Sequence, residues 1–210
     1  MESGAPVYSI GYSNRSIEQF LALLRENSVT AIADVRSQPF SRSNPAFRQD
    51  LLRDVLRSAG ISYAFLGKEL GARAPDEGCY VAGKVQYDLL AATSAFQAGL
   101  DRIQSGRNLH RIALMCAESD PLTCHRCILV ARHLSARGVV VRHILEHGSV
   151  EDHESTARRL VQILRVPEVC SSGREEDLLG MAYQIQGERI AWRKDLDESV
   201  QYELWGQESA

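Results

Sequence analysis

Long apolar runs are missing from this 210-residue sequence. None approaches the ~18 uninterrupted apolar residues of a membrane-spanning helix, and the opening MESGAPVYSIGY lacks the basic and apolar regions of a secretory signal. A cytoplasmic protein with no membrane partner is expected. Cysteine is scarce and odd in number, at positions 79, 116, 124, 127 and 170, which excludes a disulfide scaffold and leaves reduced thiols for chemistry. Lysine is nearly absent, 3 residues against 21 arginines, and the formal net charge of -3 lacks the basic excess that holds long duplex DNA by charge alone. With 15 Gly, 6 Pro, 44% apolar and 24% charged residues, collagen-like, low-complexity and wholly disordered chains are excluded.

The charge that is present is unevenly spread. Residues 1–167 carry 20 basic and 17 acidic side chains, whereas 168–210 carry 4 and 10. This division suggests an α/β domain over 1–167 and an acidic tail over 168–210, partly helical, packing on the body or mobile.

Within the body, apolar runs at Val7–Gly11, Val29–Val35, Ile61–Leu66, Arg111–Met115 and Val139–Leu145 read as five strands. Between them lie helical patterns. Ser16 and Gln19 have the spacing of a capping box before Ile17, Phe20, Leu21 and Leu24, and Leu51, Leu52, Val55 and Leu56 form the inward face of a second helix. Further helices are expected over about 87–104, 125–136, 150–164 and 178–192, with a long loop over 67–84. Strands alternating with helices need crossover connections, which predicts a three-layer α/β fold: a mainly parallel, about five-stranded sheet with helices on both faces.

In such a sheet, ligands sit outside the carboxyl ends of the strands. The polar segments gather there: Ser13, Asn14 and Arg15 after the first strand, Asp34, Arg36, Arg42 and Asn44 at and after the second, and Cys116, Glu118, Cys124, His125 and Arg126 around the fourth. Cys116 ends an apolar strand and a helix begins near His125, so cations and the helix dipole can favour its thiolate as a nucleophile. His125, Glu118 and Asp34 are candidates to move protons or orient partners, and Ser13, Asn14, Arg15, Arg36, Arg42, Asn44, Cys124 and Arg126 to hold an anion. Alternatively, Cys116 fills space, Asp34 and Arg36 form a buried ion pair, and the Ser and Asn residues are ordinary turns. The run C-x7-C-H lacks a second closely spaced pair, so its spacing gives no zinc motif. Cys127 suggests packing, and His110, His133, His143, His147 and His153 suggest solvated or capping roles.

The stretches Ser9–Asn14 with Ser16–Phe20, Asp34–Pro39 with Ser41–Phe47, Leu70-Gly71, and Leu114–Glu118 with Cys124–Arg126 together resemble the domain-of-unknown-function 488 family of bacteria and archaea. That family often carries His at the position of Tyr12. A looser likeness, a cysteine after a strand and an arginine on the next helix, is to rhodanese and phosphatase-like folds. Their loop is more compact than the C-x9-R found here. The resulting expectation is an enzyme acting on a phosphate-bearing or nucleotide-like ligand, with Cys116 as nucleophile. The alternative is a nucleotide or nucleic-acid binding module using the Arg-rich loops, with no covalent chemistry.

Overall fold

The computed structural model describes residues 4–41, 44–166 and 174–194. Arg42 and the boundary at 167/168 lie outside them.

Strand β1 (Val7–Gly11) is buried throughout and leads to helix α1 (Ile17–Glu26). The Ser16 hydroxyl accepts from the Gln19 amide, and the Ser16 amide donates to Gln19 Oε1 at 2.9 Å, so the capping box forms as its spacing predicts. Next come β2 (Ala31–Asp34), α2 (Gln49–Ser58) and β3 (Ser62–Phe65). In α2, Leu52 and Leu56 face the core, but Leu51 is exposed. The stretch read as a loop over 67–84 holds a short helix α3 (Gly67–Leu70) and the two-residue strands β4 (Tyr80–Val81) and β5 (Lys84–Val85). The helix expected over 87–104 is broken into α4 (Tyr87–Ala91) and α5 (Ser94–Gly106), because the Thr93 hydroxyl donates to the Leu90 carbonyl at the end of the first helix and caps the second by accepting from the Phe96 amide.

After β6 (Ile112–Cys116), the chain winds as a π-helical turn over Arg126–Ala131 before continuing as α6 (Arg132–Ala136). Strand β7 (Val141–Ile144) is followed by β8 (Val150–Asp152), then α7 (His153–Ile163) and α8 (Glu175–Ile190). The apolar pattern reads 150–152 as helix. Instead these residues pair antiparallel with β7, because the edge of β7 offers backbone partners that three helical residues cannot match. The sheet therefore has six strands rather than five, in the order β3-β2-β6-β1-β7-β8, and all but β8 run parallel.

The fold is a three-layer α/β arrangement. Tyr8, Ile10, Ile32 and Met115 face α1 and α2 on one side, while Val7, Ala33 and Leu114 face α5 and the π turn on the other. Helices α7 and α8 cover the outer side of that turn through Leu160, Ala182 and Tyr183. The loops after β1 and β2 lead to helices on one face, and the loop after β6, which lies between those strands, leads to the opposite face. This divergence opens a crevice above Cys116, the arrangement that places ligands in open α/β sheets.

The loop after β6 passes over the end of β1 with no space to spare: a Cβ on Gly11 would lie 1.6 Å from the Glu118 carbonyl oxygen and 2.6 Å from its carbon. Backbone cannot yield as a side chain does. Gly11→Ala is expected to cost stability at the upper end of the ~1–3 kcal/mol typical of overpacking, read by chemical denaturation. A loss below about 0.5 kcal/mol would contradict this close crossing.

Candidate functional site

The crevice is a cleft of about 130 Å³, its walls including Tyr12, Arg36, Cys116, Glu118, His125 and Trp192. At its floor two thiols meet one imidazole. His125 Nδ1 lies 3.8 Å from Cys116 Sγ and 3.9 Å from Cys124 Sγ, while its Nε2 is 2.9 Å from the Val35 carbonyl oxygen. A carbonyl can only accept, so Nε2 carries a proton and Nδ1 is the nitrogen that faces sulfur.

Arg126 sets the electrostatics. Its side chain is fully buried with no carboxylate ion pair among the described residues, and its guanidinium donates to the carbonyls of Glu118 (2.7 Å) and Ser119 (2.9 Å), while its own amide donates to Cys124 Sγ at 3.4 Å. A buried cation calls for nearby negative charge. Burial opposes ionisation of Cys124, but a hydrogen bond from Cys116, the Arg126 charge and His125 outweigh it and bring that thiol well below its usual range. Cys116 moves the opposite way, raised by its bond to Cys124 and by burial. Ionisation of the pair is thus biased toward Cys124, and the proton toward Cys116. Burial lowers the proton affinity of His125, yet the Cys124 thiolate and Glu118 raise it overall.

Glu118 adds the third protonic group. Burial first, and the Cys124 charge second, push its carboxyl up to about 7, and its Oε2 has no hydrogen-bond partner. Trp192 Nε1 is likewise buried and unpartnered. Both residues line the cleft, so two unsatisfied polar atoms belong to its walls.

The remaining expected residues divide. Asp34 and Arg36 form a buried ion pair in which Nε and one terminal nitrogen reach the two carboxylate oxygens at 2.9 and 2.6 Å; Tyr63 donates to Asp34 at 2.7 Å, and Arg36 also donates to the Phe47 carbonyl. Arg36 lies over the Tyr12 ring, which stacks on Phe47. Arg36 lines the cleft, and Asp34, itself fully buried, holds it there. Ser13, Asn14 and Arg15 are not brought to the cleft. They line a separate surface groove with Glu146 and His147, where Arg15 donates to the carbonyls of Gly11 and Leu145. Asn44 ties down a loop by donating to the Arg15 carbonyl. Residues not expected at the site also line it: Arg73, stacked on Trp192 at 5.0 Å, with Phe40 and Tyr87. Trp192 follows the last turn of α8 and is fixed by its carbonyl accepting from Val85, a long-range contact no local motif announces.

A second buried cluster lies behind the π turn. His143 and His153, expected to be solvated or capping, are buried beside Cys127. Burial, with the neighbouring His153 and Arg126 charges, lowers His143 well below the usual range, and burial alone brings His153 to about 4.

The fold and the front cluster define an α/β protein with a thiol, imidazole and carboxyl group at the carboxyl edge of its sheet. The family described as Domain of unknown function DUF488 matches residues 16–133, more than half of the chain, and the chain belongs to that family. No curated protein and no solved structure matches it. No helix among the described residues is long and apolar enough to cross a membrane.

Because the folded state binds the Glu118 proton more tightly than the unfolded chain does, its contribution to stability is full below about pH 4.5 and is lost as pH rises toward about 7. Glu118→Gln removes this dependence. The variant is expected to lose up to ~3 kcal/mol less stability than the parent between pH 4.5 and 8, measured by urea denaturation across that range. Parallel curves for parent and variant would show that the carboxyl is not held protonated by burial.

Proposed function

We propose that this protein is a cysteine-dependent enzyme, a hydrolase or transferase acting on a small nucleotide-like ligand. The observation that carries this reading is the convergence of Cys116, Cys124 and His125 at the cleft beside Glu118, whose Oε2 has no hydrogen-bond partner among the described residues. Cys116 lines the cleft and Cys124 lies beneath it, which divides nucleophile from base. The Cys124 thiolate takes the Cys116 proton as Cys116 Sγ bonds to an electrophilic carbon or phosphorus, and the protonated Glu118 gives its proton to the departing group. Water, or another acceptor, deprotonated by the Glu118 carboxylate then breaks the sulfur bond. Its proton restores Glu118, and the Cys124 proton returns to Cys116. Phe40 and Trp192 offer faces for a flat ring, and Arg73 beside Trp192 suits an attached anionic group.

The binding-module alternative is less well supported. Arg15, Arg36 and Arg126 direct their donors at backbone carbonyls or Asp34, and a cleft of about 130 Å³ takes a small ring rather than a polynucleotide. A second reading has one favourable observation: the ligand atoms of Cys116, Cys124 and His125 lie within 4.8 Å of one another, a three-donor set with a side open to the cleft, as in catalytic zinc sites.

Iodoacetamide labelling followed by peptide mass mapping tests the proposal. Cys116 is expected to react ahead of Cys79 and Cys127, at a rate that Cys124→Ser lowers at least ~10-fold and that chelator leaves unchanged. Acceleration by chelator would favour the metal reading. Labelling of Cys116 that is slow and indifferent to Cys124→Ser would remove thiol chemistry altogether.

A further inference from the structure

We propose a second, buried metal site formed by Cys127, His143 and His153, distinct from the cleft and independent of the reading given to it. Three donor atoms from the π turn, β7 and α7 point at one another. His143 Nε2 lies 3.0 Å from His153 Nδ1, and Cys127 Sγ lies 3.8 Å from the first and 4.0 Å from the second. An ion bound at ~2.0–2.1 Å by nitrogen and ~2.3 Å by sulfur holds such donors roughly 3.3 to 3.8 Å apart, so these side chains need to shift by only a few tenths of an ångström.

The outer shell fits as well. The far nitrogen of each imidazole is already engaged: His143 Nδ1 is 2.6 Å from the Ser9 hydroxyl, and His153 Nε2 is 3.0 Å from the Tyr183 hydroxyl. Metal-bound histidines are oriented in this way, by a partner on the nitrogen that does not bind. Burial also keeps both rings neutral, the form that ligates, and holds the Cys127 thiol protonated, so an ion binding there must displace that proton. Without an ion, the two imidazoles and two hydroxyls can still form a hydrogen-bonded chain from Ser9 to Tyr183, but that chain makes no use of the thiol beside it.

The donor set selects the class of ion. One thiolate and two imidazoles suit Zn²⁺ and disfavour Mg²⁺ or Ca²⁺, which take oxygen. His153 and Tyr183 also line a groove of about 270 Å³ between α6, α7 and α8, which gives a path from solvent and room for a water as fourth ligand. The bound ion would join β7, α7 and the π turn directly, and α8 through Tyr183.

The test uses the full chain stripped with chelator and titrated with Co²⁺ as a spectroscopic stand-in for zinc. A thiolate-to-cobalt charge-transfer band with intense visible bands is expected, titrating out when one equivalent of Zn²⁺ is added. Cys127→Ser should abolish the charge-transfer band while Cys116→Ser retains it, and Tyr183→Phe should weaken binding ~10- to 100-fold. If Cys127→Ser fails to fold by circular dichroism, His153→Gln and Tyr183→Phe decide in its place. Absence of the band, or its loss with Cys116→Ser while Cys127→Ser or the substitute variants keep it, overturns the proposal.

Discussion

The site depends on how the chain accommodates one buried guanidinium. Arg126 is sealed from solvent with no carboxylate ion pair among the described residues, and its guanidinium donates to the carbonyls of Glu118 and Ser119. Carbonyl dipoles solvate a cation only in part, so the fold is stable with Arg126 charged only if a nearby group supplies an anion. Cys124 is placed to do so, with the Arg126 amide on its sulfur and His125 beside it. Burying the arginine thus adds to the acidity that the hydrogen bond from Cys116 already gives Cys124. The same two carbonyl bonds hold the loop after β6 against the end of β1, where only Gly11 leaves room for it. Structural support and thiolate stabilisation come from one side chain.

Much of this was legible in the sequence. The capping box at Ser16, the five parallel strands and the placement of Cys116 at a strand end follow from local spacing and apolar pattern, which local backbone physics enforces. The meeting of Cys116 with His125 was also accessible, because a strand and the following helix in this architecture bring those segments to one edge. The partition of the edge was not. Ser13 to Arg15 leave the cleft because the Ser13 amide is drawn onto the Ala117 carbonyl and Arg15 onto the ends of β1 and β7. Such bonds, one between backbones and the others from a side chain to backbone, carry no periodic signature. Nor did spacing announce the Cys127, His143 and His153 cluster, whose members lie on three elements and meet only after β7 is seated beside β1.

The π turn over Arg126–Ala131 explains how two chemical clusters lie back to back. Cys124, His125 and Arg126 serve the cleft, and the next residue, Cys127, turns toward β7 and α7. Consecutive residues on a helix point about 100° apart, so a single turn can serve both sides only when each side is lined by polar partners. Here every polar element behind the turn has one: Ser9 on β1 for His143, and Tyr183 on α8 for His153. A π turn gives up regular hydrogen bonding, a cost that chains accept mainly where a site needs the altered register. Since α8 supplies Tyr183 behind the turn and leads into Trp192 at the cleft, that one helix closes both clusters. Any change that shifts α8 must therefore be felt on both sides of the turn.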